Sequence, residues 1–94
     1  MKKLTINITP FSFSCSGIIY DTETAASQQI TISVADAKGI ADFSVDNNIE
    51  LIELYGNSNY TERIRQNIET ELKKYFISYS NKTPITVETK GVLQ

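Results

Sequence analysis

Carboxylates are the side chains of this sequence that could carry catalytic chemistry, because its 94 residues include 11 acidic residues and no histidine. The lack of histidine excludes Ser-His and Cys-His nucleophile pairs, the common zinc geometries and the usual proton shuttle near neutral pH. Asp42 with Asp46, or Glu50 with Glu53, could serve as general acid and base or hold Mg²⁺. A carboxylate–metal enzyme built on Asp42, Asp46 or Glu50 is therefore one interpretation of the sequence.

A second candidate is the loop in ELYGNSNYTERI, residues 53–64, because backbone N–H groups at a helix start can bind phosphate when glycines allow close approach. A small-ligand or nucleotide site in this loop would use Gly56, Asn57, Ser58 and Asn59. The loop has one glycine and no Gly-Lys-Ser/Thr motif, and Glu62 follows Asn59 by three residues, as in a capping box. The pattern favours a capped helix start, with ligand binding as the alternative.

The charge pattern argues against a nucleic-acid partner. Nine basic residues face 11 acidic ones, which gives a net charge of −2. The basic residues between 63 and 74 alternate with glutamates, so they build no field of one sign, whereas nucleic-acid binding needs a clustered basic footprint. We therefore predict no nucleic-acid partner. No motif indicates a cofactor or a metal, and none is predicted.

The single cysteine, Cys15, cannot form an intrachain disulfide. It continues an alternation begun by Phe11 and Phe13, which is typical of a small buried residue. The segment after Lys2 and Lys3 is broken by polar residues and a proline, so it is a poor signal peptide. A protein without a membrane segment is expected, in the cytoplasm or, if it is phage-encoded, in the virion.

The first strand is predicted from the alternation of Leu4, Ile6 and Ile8 with polar residues. Pro10 interrupts it, and a proline favours an edge position. An edge strand offers unpaired backbone groups to a partner. The expected interaction edge comprises Thr5, Asn7, Thr9 and Phe11.

Period-two patterns continue along the chain. They predict a strand in 16–22, a hairpin of strands 30–34 and 41–45 around Gly39, a central strand in 49–54 and a last strand in 85–89. Between the last two strands the apolar residues recur every four positions instead of every two. This spacing predicts an amphipathic helix over about 59–77. Its apolar stripe comprises Tyr60, Ile64, Ile68, Leu72 and Phe76.

These elements predict a single compact α+β domain over residues 1–94. It would have a mostly antiparallel sheet of about five to six strands, with one helix packed on one face in a C-terminal strand-helix-strand unit. The favoured function is a non-catalytic structural or protein-interaction module, acting through a sheet edge or an aromatic patch. Its partner would be protein, through self-association or a larger assembly, as in a phage or mobile-element virion component or host-defence inhibitor.

Overall fold

Five strands and two helices make up the computed structural model, which describes residues 1–8, 15–32, 37–56, 58–78 and 84–91. The elements are β1 (Lys2–Asn7), β2 (Cys15–Asp21), β3 (Ser27–Ile32), α1 (Ala37–Asp46), β4 (Leu51–Tyr55), α2 (Ser58–Ser78) and β5 (Thr86–Gly91). The strands form one sheet in the order β3-β2-β1-β4-β5. β2 runs antiparallel to β1 and β3, whereas β1, β4 and β5 are parallel.

Both helices cover the same face of the sheet. The connections β3–α1–β4 and β4–α2–β5 advance in the same direction across it, so right-handed crossovers place α1 and α2 on one side. Alternation along the strands then turns one set of side chains into the core. The fully buried large side chains there include Leu4, Ile6, Ile40, Ile52, Leu54 and Ile68.

The other side of the sheet carries no described helix or strand, and we call it the open face. Its central residues are Lys3, Thr5 and Asn7 of β1 and Leu51, Glu53 and Tyr55 of β4, which lie opposite one another in register. The register partners of the β1 residues on β2 also belong to it, among them Ile18 and Tyr20, which are 45% and 36% exposed.

The α+β class and the long helix are confirmed, but four details of the predicted fold are wrong. The sheet is mixed rather than mostly antiparallel, and there are two helices rather than one. The predicted second strand of the hairpin, 41–45, is part of α1. The first strand is not at an edge, because β1 lies between β2 and β4.

Local contacts explain why 37–46 is helical. Lys38 Nζ lies 2.8 Å from Asp42 Oδ2 one turn on, a pairing that supports a helix. At the other end the Asn47 side chain donates a hydrogen bond of 2.9 Å to the Phe43 carbonyl, and Asn48 takes a φ of 58° that ends the helix. Neither α1 nor α2 combines the length and the apolar character that a membrane-spanning helix needs.

Candidate functional site

A buried carboxylate lies near the middle of the open face. Glu53 of β4 is only 9% exposed, although it points away from the helices. Lys3 Nζ from β1 approaches its Oε1 to 3.2 Å, and Lys90 Nζ from β5 approaches its Oε2 to 3.5 Å. Thr5 Oγ1 donates a hydrogen bond of 3.4 Å to Oε1. The two strands that flank β4 thus supply the groups that surround this carboxylate.

A second carboxylate adjoins the first. Glu88 of β5 is the register partner of Glu53, and its Oε2 lies 2.8 Å from Lys90 Nζ. The hydrogen bond to Glu88, together with weaker interactions with Glu53, raises the pKa of Lys90 above its usual value. Two lysines and two glutamates therefore form a neutral charge cluster, which we define as Lys3, Glu53, Glu88 and Lys90.

The chemistry available to this cluster is that of carboxylates beside ammonium groups. A carboxylate can accept a proton, and lysines can stabilise negative charge on an oxyanion or a phosphate. Nowhere in the described ranges do three or more histidine, cysteine, aspartate or glutamate residues come together in a way that could hold a metal. The cluster supplies a pair of carboxylates from adjacent strands.

The residues of the predicted interaction edge lie elsewhere in the sheet than expected. Thr5 and Asn7 are on the central strand β1 and project onto the open face, so their backbone groups are paired on both sides. The prediction of an edge was wrong because alternation and a proline do not distinguish an edge strand from a central one that ends near the proline. Thr9 and Phe11 lie outside the described residues.

The predicted loop site adjoins the start of α2. The helix begins at Ser58, so Asn59 lies in its first turn rather than before it. The Asn59 side chain is exposed. Gly56 has a φ of 154° and packs so closely that an added Cβ would lie 2.9 Å from the Ile8 carbonyl oxygen. Asn57 lies outside the described residues. This geometry explains the glycine by packing, and ligand binding at the loop stays a prediction.

The carboxylates weighed from the sequence are mostly separated by the fold. Asp42 and Asp46 lie on α1, on the covered side of the sheet, and Asp42 accepts hydrogen bonds from Lys38 and Tyr75. Glu50 is exposed ahead of β4. Of these residues only Glu53 reaches the open face.

The partners of Glu53 were not predictable from the sequence, because Lys3 and Lys90 are distant from it in the chain. Strand parity alone could have placed Thr5 and Glu53 on polar faces, but not next to each other. Their adjacency follows from the parallel pairing of β1 with β4, which no local pattern reports.

The sequence matches no protein-family model, and no curated protein matches it. A similar solved structure is the Holliday junction resolvase of fowlpox virus, with a TM-score of 0.53 and 15% sequence identity. The similarity covers 97% of this chain and 61% of the resolvase chain, so this chain spans less than two thirds of that enzyme. At this identity the similarity shows a shared fold.

This finding corrects three predictions made from the sequence. The non-catalytic interaction module and the statement that the chain is not an enzyme are wrong, because the chain has the fold of an enzyme that acts on Holliday junctions. The exclusion of a nucleic-acid partner in favour of a protein is wrong for the same reason. Net charge averages over the faces of the fold and does not report that the sheet brings two lysines to one carboxylate.

Proposed function

We propose that this chain acts on branched DNA as a junction-cleaving nuclease, and that it does so on the open face around Glu53. The observation that carries the proposal is the similarity of fold to a Holliday junction resolvase across 97% of the chain. The position of the charge cluster supports it, because the cluster lies near the middle of a sheet face that no described element covers.

Each member of the cluster has a role in this proposal. Glu53 accepts a proton from the attacking water as the water oxygen bonds to phosphorus and the phosphorus–oxygen ester bond breaks, and the leaving sugar oxygen takes a proton from solvent to become a hydroxyl group. Lys3 and Lys90 lie on either side of Glu53 and stabilise the negative charge that develops on the phosphate oxygens. Their side chains are 31% and 37% exposed, so each can turn from the carboxylate towards a bound phosphate.

A cleavage assay on labelled DNA tests this function. The purified chain is incubated with a synthetic four-way junction, and in parallel with linear duplexes of the same sequences, in buffer containing Mg²⁺ or Mn²⁺. We expect cleavage of the junction in preference to the duplexes. Replacement of the carboxylate in Glu53→Gln should lower the cleavage rate by about 100-fold or more, the usual contribution of a general base.

The matched control is Glu50→Gln, which removes an exposed carboxylate three residues earlier in the same segment. It should cleave like the unmodified chain, and the melting temperature of both variants should show that they are folded. An unmodified chain that cleaves no junction, or a folded Glu53→Gln variant that cleaves at the full rate, would overturn the proposal.

A further inference from the structure

An uncharged patch lies beside the charge cluster, on the half of the open face formed by β1, β2 and β3. Strand register makes its six positions neighbours, because Thr5 and Asn7 oppose Ile18 and Ser16, which in turn oppose Gln29 and Thr31. The members of this amide–hydroxyl patch are Thr5, Asn7, Ser16, Ile18, Gln29 and Thr31. Five of them carry uncharged hydrogen-bonding groups, and the sixth is an exposed aliphatic side chain.

The polar groups of the patch have unused hydrogen-bonding capacity. Within the described residues, the side chains of Asn7, Ser16 and Gln29 make no hydrogen bond, and all three are exposed. They surround a depression of about 80 Å³ that Ile18 also lines. A primary amide presents a donor and an acceptor side by side, and the patch offers two such groups, Asn7 of β1 and Gln29 of β3, on either side of β2.

This combination suits the edge and face of a nucleobase. Asparagine and glutamine amides match the paired donor and acceptor that a base such as adenine presents. An aliphatic side chain can lie against the flat face of the base, and the lack of charge avoids repulsion from nearby phosphates. Thr5 belongs to the patch and also donates a hydrogen bond to Glu53, so the patch and the charge cluster adjoin.

We propose that the amide–hydroxyl patch binds an unpaired nucleobase of the branched DNA substrate, next to the phosphate that the charge cluster contacts. This inference rests on the proposed function and adds a substrate feature to it. A duplex stacks the faces of its bases and keeps their edges in grooves that a flat sheet face cannot enter, whereas an unpaired base at a branch point can turn onto the sheet surface.

Binding to two matched junctions tests the inference. One four-way junction carries two unpaired adenosines at the branch point, and the other carries abasic residues at the same positions. The unmodified chain should bind the adenosine junction about tenfold more tightly. In the double variant Asn7→Ala/Gln29→Ala this preference should disappear, with about a threefold loss of adenosine-junction affinity for each hydrogen-bonding side chain removed.

The control variant is Gln28→Ala/Asn67→Ala, which removes the same two side-chain types from the other face of β3 and from exposed α2 surface. It should keep the preference for adenosine. Equal binding of the unmodified chain to both junctions overturns the base-binding proposal alone. An equal loss of the adenosine preference in the two double variants also overturns the base-binding proposal alone. No binding to either junction overturns the proposed function and, with it, this inference.

Discussion

Glu53 gains its chemical character from neighbours that are remote in the sequence. In the sequence it was only a possible companion of Glu50, and no local pattern related it to Lys3 or Lys90. Pairing of β4 with β1 and β5 brings Lys3 and Lys90 to opposite oxygens of the same carboxylate. The residue types were available from the sequence, but their convergence was not, because it depends on strand order.

Gly56 illustrates a residue whose role the sequence indicated in part. It was expected to end a strand, and it does, but its close packing was not visible. An added Cβ would lie 2.5 Å from Thr61 Oγ1 as well as close to the Ile8 carbonyl, so Gly56→Ala should lower the free energy of unfolding by about 2 kcal/mol or more. Urea denaturation monitored by circular dichroism measures this change.

Gly91 supplies the control for that prediction. It also has a positive φ, of 86°, but an added Cβ would meet nothing within 4 Å. Gly91→Ala should therefore cost only the backbone strain, about 1 kcal/mol. Equal losses of stability in the two variants would show that close packing at Gly56 is not what requires a glycine there.

At the scale of elements, α2 was predictable and α1 was not. The stripe of α2 recurs every four residues, and its members Ile64, Ile68 and Leu72 are buried as expected. In α1 the buried residues are Ile40, Ala41 and Ser44, so a polar residue occupies a core position and weakens the helical pattern. The apolar residues at 41, 43 and 45 alternate by chance, which favoured a strand.

A polar contact between α1 and α2 leads to a pH-dependent prediction. Hydrogen bonds from Lys38 and then from Tyr75 lower the pKa of Asp42. A lowered pKa stabilises the folded state above the unfolded value of about 4, and this contribution is lost as the pH falls through the folded value. Tyr75→Phe should cost about 0.5 to 1 kcal/mol at pH 7, after allowance for solvent screening, and less at pH 3.

Thermal denaturation of the unmodified chain and of Tyr75→Phe, at pH 7 and at pH 3, measures the loss of stability at each pH. Tyr60→Phe is the control, since the Tyr60 hydroxyl makes no hydrogen bond within the described residues. The stability difference between this variant and the unmodified chain should be nearly the same at pH 7 and pH 3. A Tyr75→Phe penalty that stays constant down to pH 3 would show that ionised Asp42 does not link the two helices.

At the scale of the whole molecule, the sequence predicted the α+β class but misplaced β1. Alternation shows that one face of a strand is buried, yet it is the same for an edge strand and for a central strand with one open face. The proline at position 10 decided the prediction in favour of an edge, and the sheet order puts β1 third of five strands. With β1 central, its polar residues form the surface that carries Glu53 rather than a protein-binding edge.

An NMR titration tests directly the proposal that the open face binds DNA. The ¹⁵N-labelled chain is titrated with the four-way junction in the absence of divalent ions, and the amide shifts are followed residue by residue. We expect the largest changes at open-face residues such as Thr5, Ile18 and Lys90, with little change at the exposed α2 residues Arg63 and Gln66. Changes concentrated on the helices, or none at saturating DNA, would contradict the assignment of the open face as the surface that binds DNA.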